Sequence, residues 1–211
     1  GPEPRQLLFV SRLAADVYLQ LAEYAADRDL NLVYCRCDPA NDGLDEEYRF
    51  VRRAGSVIGT ADWEGSGYVL DADLVTRIRD GELAPPPKIM LFTPPGASSA
   101  TLNDLRCRFQ GKLYVAWAVP ELLEIMAPDV NKGNALARLA QRLGVPLDSV
   151  LAIGDGNNDL PMLERAGTGV LMGSAAEDVR AAAAQAGVAM APPQHEDGFA
   201  RALRTHVASL A

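Results

Sequence analysis

Ser149-Val150-Leu151-Ala152-Ile153-Gly154-Asp155-Gly156-Asn157-Asn158-Asp159-Leu160-Pro161-Met162 leads an apolar run into a turn with two carboxylates and two amides, and a helical pattern follows. A short apolar run closed by glycine reads as a buried strand. The loop at the carboxyl end of such a strand is where open α/β sheets place ligand chemistry. Asp155 and Asp159, four residues apart on a Gly-rich turn, offer the oxygen donors that a hard cation such as Mg²⁺ takes. Alone, the stretch reads equally well as a polar loop that caps a helix.

The flanking sequence adds a context. Upstream, Asp129-Val130-Asn131-Lys132-Gly133-Asn134-Ala135-Leu136 opens an amphipathic helix over 132–143, stopped by Gly144 and Pro146. Downstream, Ala166-Gly167-Thr168-Gly169-Val170-Leu171-Met172-Gly173-Ser174-Ala175 leads into another helix, and His195-Glu196-Asp197-Gly198-Phe199 lies beyond it. The pattern predicts strand 149–153, helix 159–166, strand 169–172, helix 175–186, strand 188–190 and helix 197–208, the rhythm of a parallel α/β sheet. This ordered set resembles the C-terminal half of the haloacid dehalogenase superfamily, and within it the Cof-type branch (subfamily IIB) of sugar-phosphate and cofactor phosphatases. The shared features are a lysine before a helix, GDxxND with a following Met, a short G-x-G-V-x-M strand and an E-D-G near the C-terminus. The resemblance is specific over residues 124–202 and loose over 5–123, where it is to the family's cap domain. It implies an α/β fold: the C-terminal half of a doubly wound, Rossmann-like sheet over 126–211, with an α+β cap-like domain over 1–125.

The resemblance also implies roles. The family's reaction is phosphoryl transfer to an aspartate, then hydrolysis of the aspartyl-phosphate, which splits one hard step into two. Lys132 corresponds to the lysine that stabilises the nucleophile and the phosphate oxygens, Asp155 to the Mg²⁺ ligand, and Asn158 to an amide that orients ligands or faces phosphate. Asp159 corresponds to a second carboxylate, counted with Asp155 as a metal residue and with Lys132 as a catalytic one: it ligates through water or orients Lys132. Ser174 stands where the family commonly has Asn, and keeps one hydrogen-bond donor for substrate. Asn157 reads as a turn residue, Met162 and Leu163 as core, Glu124 and Asp129 as hinge and helix-start residues, and Glu196-Asp197-Gly198 as a cap for the last helix, with His195 exposed beside it.

Two family motifs have no counterpart. No Asp-x-Asp-Gly-Thr occurs in the 211 residues, and no Ser or Thr stands clearly for the second motif. The expectation is that the chain begins inside the family pattern, near the start of the cap. Tyr68-Val69-Leu70-Asp71-Ala72-Asp73-Leu74 imitates a strand ending in Asp-x-Asp, but Leu74-Val75 replace Gly-Thr. Asp71 or Asp73 is better read as capping the next helix.

Over 1–125 the pattern predicts a strand at Leu7–Val10, an amphipathic helix at Leu13–Ala26, a strand at Leu32–Cys35, a polar turn at Asp38–Gly43, a charged segment at Asp45–Arg53 and a loop at Gly65–Gly67. A short helix at Asp73–Ile78, a strand at Lys88–Phe92, a helix capped by Ser98–Thr101 and running to Phe109, and paired strands at Leu113–Trp117 and Leu122–Ile125 follow. Trp63 and Trp117 fall in this half, as packing or pocket residues.

The net charge of −8, from 20 Lys+Arg against 28 Asp+Glu, argues against nucleic acid or an anionic membrane as partner. A small phosphorylated metabolite is not excluded, because a bound cation supplies local positive charge. No run of about 20 apolar residues and no signal-peptide pattern is present. Cys35, Cys37 and Cys107 read as reduced structural thiols, which fits a cytoplasmic protein. The expected function is that of a Mg²⁺-dependent phosphatase, with the chain inactive by itself for want of a nucleophile. A regulatory phospho-ligand-binding module without turnover, and a split enzyme completed by another chain, are the alternatives. The edge of the half-sheet is expected to be covered by a further N-terminal segment or by a homo-oligomer, since an open edge invites aggregation.

Overall fold

The computed structural model describes residues 9–37, 46–50 and 68–207. It falls into two compact units, Gly1–Asp129 and Val130–Ala211. The polar turn at 38–43, residues 51–53, the Gly65–Gly67 loop, Trp63, and Leu7 and Leu8 lie outside the described residues.

The first unit is a six-stranded sheet in the order β3-β2-β1-β4-β6-β5. Its strands are β1 (Asn31–Cys37), β2 (Glu46–Phe50), β3 (Tyr68–Leu70), β4 (Lys88–Phe92), β5 (Tyr114–Val119) and β6 (Leu122–Met126). All neighbours pair antiparallel except β2 and β3, which run parallel. The period of two along each strand sorts the side chains. Leu32, Tyr34, Ile89, Leu91, Leu123 and Ile125 form one core with three helices, α1 (Ala15–Asp27), α2 (Leu74–Arg79) and α3 (Ser98–Arg108). Val33, Cys35, Met90, Phe92 and Leu122 form a second cluster from the alternate positions.

Several expectations need correcting here. Phe9 and Val10 are exposed and belong to no strand; an apolar run becomes a strand only where a sheet edge takes its backbone, and β3 and β5 are the edges of this one. The charged segment contains a strand, β2, because the extended partner β1 beside it supplies the ladder that propensity does not. Ser98 does not cap α3. Ala97 holds that position, and the buried Ser98 hydroxyl bonds the Thr93 hydroxyl at 2.7 Å and the Pro120 carbonyl.

The second unit carries three parallel strands in the order β7-β8-β9: Leu151–Gly154, Thr168–Met172 and Ala189–Ala191. Helices α5 (Leu160–Arg165) and α6 (Glu177–Gln185) pack on one face with Ala152, Leu163, Leu171, Val179 and Ala183. α7 (Gly198–Val207) covers the other face, where Val170, Met172, Ala191 and Ala202 meet. Helices on both faces of a parallel sheet are the doubly wound arrangement. α4 (Lys132–Leu143) packs on α5. It begins at the Asn131 side chain, which accepts the Asn134 amide at 2.8 Å, and ends at Gly144 with φ 68°. Both ends obey the capping rules. Among the described residues no helix is long and apolar enough to cross a membrane.

Candidate functional site

Parallel strands place the loops that follow them at one end of the sheet. The turn after β7 holds Asp155, the turn after β8 holds Ser174, and the segment after β9 holds Gln194. These three residues, with Ile153, Gly154, Met172 and Phe199, line one pocket of about 290 Å³. That volume is at the low end for small-molecule sites, roughly 300 Å³ upward, and suits a head group better than a whole cofactor.

Asp159 organises the loop. It lies in a 3₁₀ turn, Asn157–Asp159, that joins β7 to α5, and it is 5% exposed. One carboxylate oxygen accepts the Lys132 ammonium. The other accepts the backbone amides of Asp155 and Gly156, each at 3.0 Å. Burial alone pushes this carboxyl up. The bond from Lys132 and the two amides outweigh it and hold the group below the ordinary carboxylate range. Lys132 stands at the first position of α4, where a cation opposes the helix dipole; Asp159 offsets that cost.

The loop needs glycine to close this way. A Cβ at Gly154 would come within 2.5 Å of the Asp159 Cβ and 2.8 Å of its Oδ2. The carboxylate can therefore fold back under its own strand end only against a residue without a side chain.

Of the residues singled out from sequence, Lys132 and Asp159 touch each other, and Asp155 joins them through its backbone. The Asp155 carboxylate is exposed and, among the described residues, makes no hydrogen bond or ion pair. Its oxygens are not committed to protein donors among the described residues. Asp159 has both oxygens engaged by protein donors, so of its two readings, ligand or support for Lys132, the geometry favours support. Asn158 is half-buried, with its Oδ1 2.9 Å from where a Gly156 Cβ would stand. Ser174 lines the same pocket as the end of β7, from the turn after β8. Among the described residues no group of three His, Cys, Asp or Glu side chains is gathered for a metal. Mg²⁺ does not require one, since it keeps several waters and takes one or two carboxylates with substrate phosphates.

The remaining candidates do not line this pocket. Asp71 accepts Arg77 at 3.1 Å, and Asp73 precedes α2 without a side-chain capping bond. Glu124 lies 3.6 Å from Lys88, and Asp129 accepts the Ser11 hydroxyl at 3.2 Å. Asp197 takes a left-handed φ of 56° just ahead of α7, its carbonyl accepting the Arg201 amide, and His195 is exposed. Trp117 packs on the core of the first unit. Gln194 and Phe199 are pocket residues that sequence reasoning does not single out. Their signal is position alone: Gln194 follows the third strand as Asp155 and Ser174 follow the first two.

Other proteins share this arrangement of elements. A sequence model of haloacid dehalogenase-like hydrolases matches residues 5–203. YcsE of Bacillus subtilis, a 5-amino-6-(5-phospho-D-ribitylamino)uracil phosphatase, is 36% identical over 93 residues, covering 44% of this chain and 36% of that protein. The chain thus spans little more than a third of that relative's length. A haloacid dehalogenase-like hydrolase from Bacteroides thetaiotaomicron superposes with a TM-score of 0.67 at 27% identity, over 95% of this chain and 70% of that one. A sugar phosphatase of haloacid dehalogenase subclass IIB shares the fold, with a TM-score of 0.67 at 16% identity, over 92% of this chain and 67% of that one.

Proposed function

The chain belongs to the haloacid dehalogenase-like hydrolases, and on that premise we propose that it carries the metal and phosphate half-site of a Mg²⁺-dependent phosphatase acting on a small phosphorylated metabolite. One observation supports this above the others: Asp159 binds Lys132 with one oxygen and the Asp155–Gly156 backbone with the other. A cation at the start of α4 and an uncommitted carboxylate on the loop after β7 are thereby tied to one side chain, an arrangement suited to a phosphate and its counter-ion.

In this reading the Lys132 ammonium draws in the phosphate oxygens, and Asp159 keeps it aimed. Asn158 and Ser174 offer an amide and a hydroxyl to the same anion. Asp155 is the residue that would hold Mg²⁺. When bound, that ion supplies charge neutralisation to the transferring phosphoryl group. Residues 126–211 form the core, and residues 1–125 the cap that selects substrate. A cytoplasmic setting accords with the reduced thiol of Cys107.

The 211 residues contain no Asp-x-Asp-Gly-Thr. The chain by itself is therefore expected to bind Mg²⁺ and phosphate without turnover. Ser174, standing where the resemblance places Asn, favours a second reading, a phospho-ligand-binding module. Calorimetry with Mg²⁺ and inorganic phosphate, beside phosphate release from an aryl phosphate, tests both. Mg²⁺ binding that is lost in Asp155→Asn supports the site. Equal binding by the variant, or none by either, sinks it. Turnover abolished by Asp155→Asn would reveal a nucleophile within these residues and dismiss the binding-module reading.

A further inference from the structure

Lys132 reaches Asp159 from a different helix, so something must fix the distance between α4 and the loop that continues into α5. The residue next to the lysine is Gly133, buried in the first turn of α4. A Cβ there would stand 2.2 Å from the Pro161 carbonyl oxygen, 2.7 Å from its carbon and 3.1 Å from Arg165 Cδ. Two of these three atoms are backbone, so no side-chain rotation relieves the contact. Pro161 lies two residues after Asp159 in the first turn of α5, which makes the surface that Gly133 meets rigidly continuous with the carboxylate.

Glycine lowers helix propensity, and at this position it adds no side chain to the core. Its only physical gain is close approach. We propose that Gly133 is a positioning residue: by letting the first turn of α4 sit against the Pro161 carbonyl, it sets the reach of Lys132 to Asp159 and so the placement of the ammonium over the phosphate site. A methyl group at 2.2 Å must open to an ordinary van der Waals separation of about 3.5 Å. The start of α4 therefore moves by roughly an ångström, a displacement of the size that costs about 10²-fold at sites of this kind.

The phosphate part of this inference rests on the function proposed above, and the experiment keeps the two apart. Wild type, Gly133→Ala, Lys132→Ala and the double variant are compared in the full chain for inorganic phosphate affinity with Mg²⁺ present and for thermal stability. Positioning predicts that Gly133→Ala loses phosphate affinity to within about threefold of Lys132→Ala, and that the double variant loses no more, because the two changes remove one interaction. A merely structural glycine predicts additive losses, and additivity, or wild-type affinity in Gly133→Ala, overturns the inference. If wild type binds no phosphate, the proposed function fails. The inference is then judged on melting alone: Lys132→Ala must matter less in the Gly133→Ala background, and equal effects in both reject it. Should Gly133→Ala not fold, the same cycle is run in the Pro161→Ala background, which frees the fixed φ behind the struck carbonyl. Non-additive losses there support positioning, and additive losses reject it.

Discussion

Replacing Asp159 by asparagine keeps the volume of the most enclosed polar side chain of the site and removes its charge. Asparagine has one acceptor oxygen and one donor amide, whereas Asp159 accepts from three donors. Pointing the new amide at the Asp155 and Gly156 N–H groups would leave two donors facing a third. Pointing it at Lys132 is cheaper, because that side chain is 49% exposed and can turn to water. In this second orientation two amide bonds drop from charge-assisted to neutral, about 1 kcal/mol each. The lost ion pair adds at most about 1 kcal/mol after solvent screening. The expected cost is therefore about 2–3 kcal/mol, read by urea unfolding at neutral pH with far-UV circular dichroism. The pH dependence adds a second constraint. The folded carboxyl lies below its unfolded value of 3.8, so its contribution is complete above that value and is lost as pH falls toward the folded pKa. The gap between wild type and Asp159→Asn should close on acidification. A variant as stable as wild type at neutral pH, or a gap that stays constant through the carboxylate range, refutes this account of the loop.

Three further outcomes are expected. Asp155→Asn, at an exposed carboxylate with no protein partner among the described residues, should change stability by less than about 0.5 kcal/mol while abolishing Mg²⁺ binding in calorimetry. Leu163→Ala, at a side chain 2% exposed in the core between α5 and β8, should cost about 2–5 kcal/mol in the same urea titration. Tyr24 is pushed up to about 12 by burial and by its hydrogen bond to Asp104. Its contribution is complete below pH 10 and lost as pH rises toward 12, so Tyr24→Phe should flatten the alkaline limb of a stability profile measured over that interval.

The second unit is legible in sequence because its signals are local. Helix 132–143 stands as read, since the positive φ at Gly144 and the Asn131 cap are properties of single residues. Sequence does not single out Asn131 as the cap, because the neighbouring Asp129 is as good a capping residue by type and only the backbone shows which one faces Asn134. The first unit is less legible where pairing decides. β2 is a charged pentapeptide made a strand by β1, and Phe9-Val10 is an apolar pair that the sheet does not include. At the site, the Lys132–Asp159 contact spans 27 residues and is approached from sequence through family resemblance. No local pattern points to Phe199 or Gln194, which come to Asp155 only because β7, β8 and β9 stack in register.

The pocket takes one polar residue from each of three consecutive loops, while its apolar residues Ile153 and Met172 also belong to the cluster beneath α7, and Ala175 of the turn after β8 is buried in the cluster on the other face. Stability and recognition thus share the apolar wall of the pocket and part only at its polar residues. Exchanges at Ser174 or Gln194 can reshape what the pocket accepts while the Lys132–Asp159 contact and the loop carrying Asp155 are left alone. A lineage built on this sheet can diversify its ligands by changing single polar residues at the strand ends on an unchanged apolar frame.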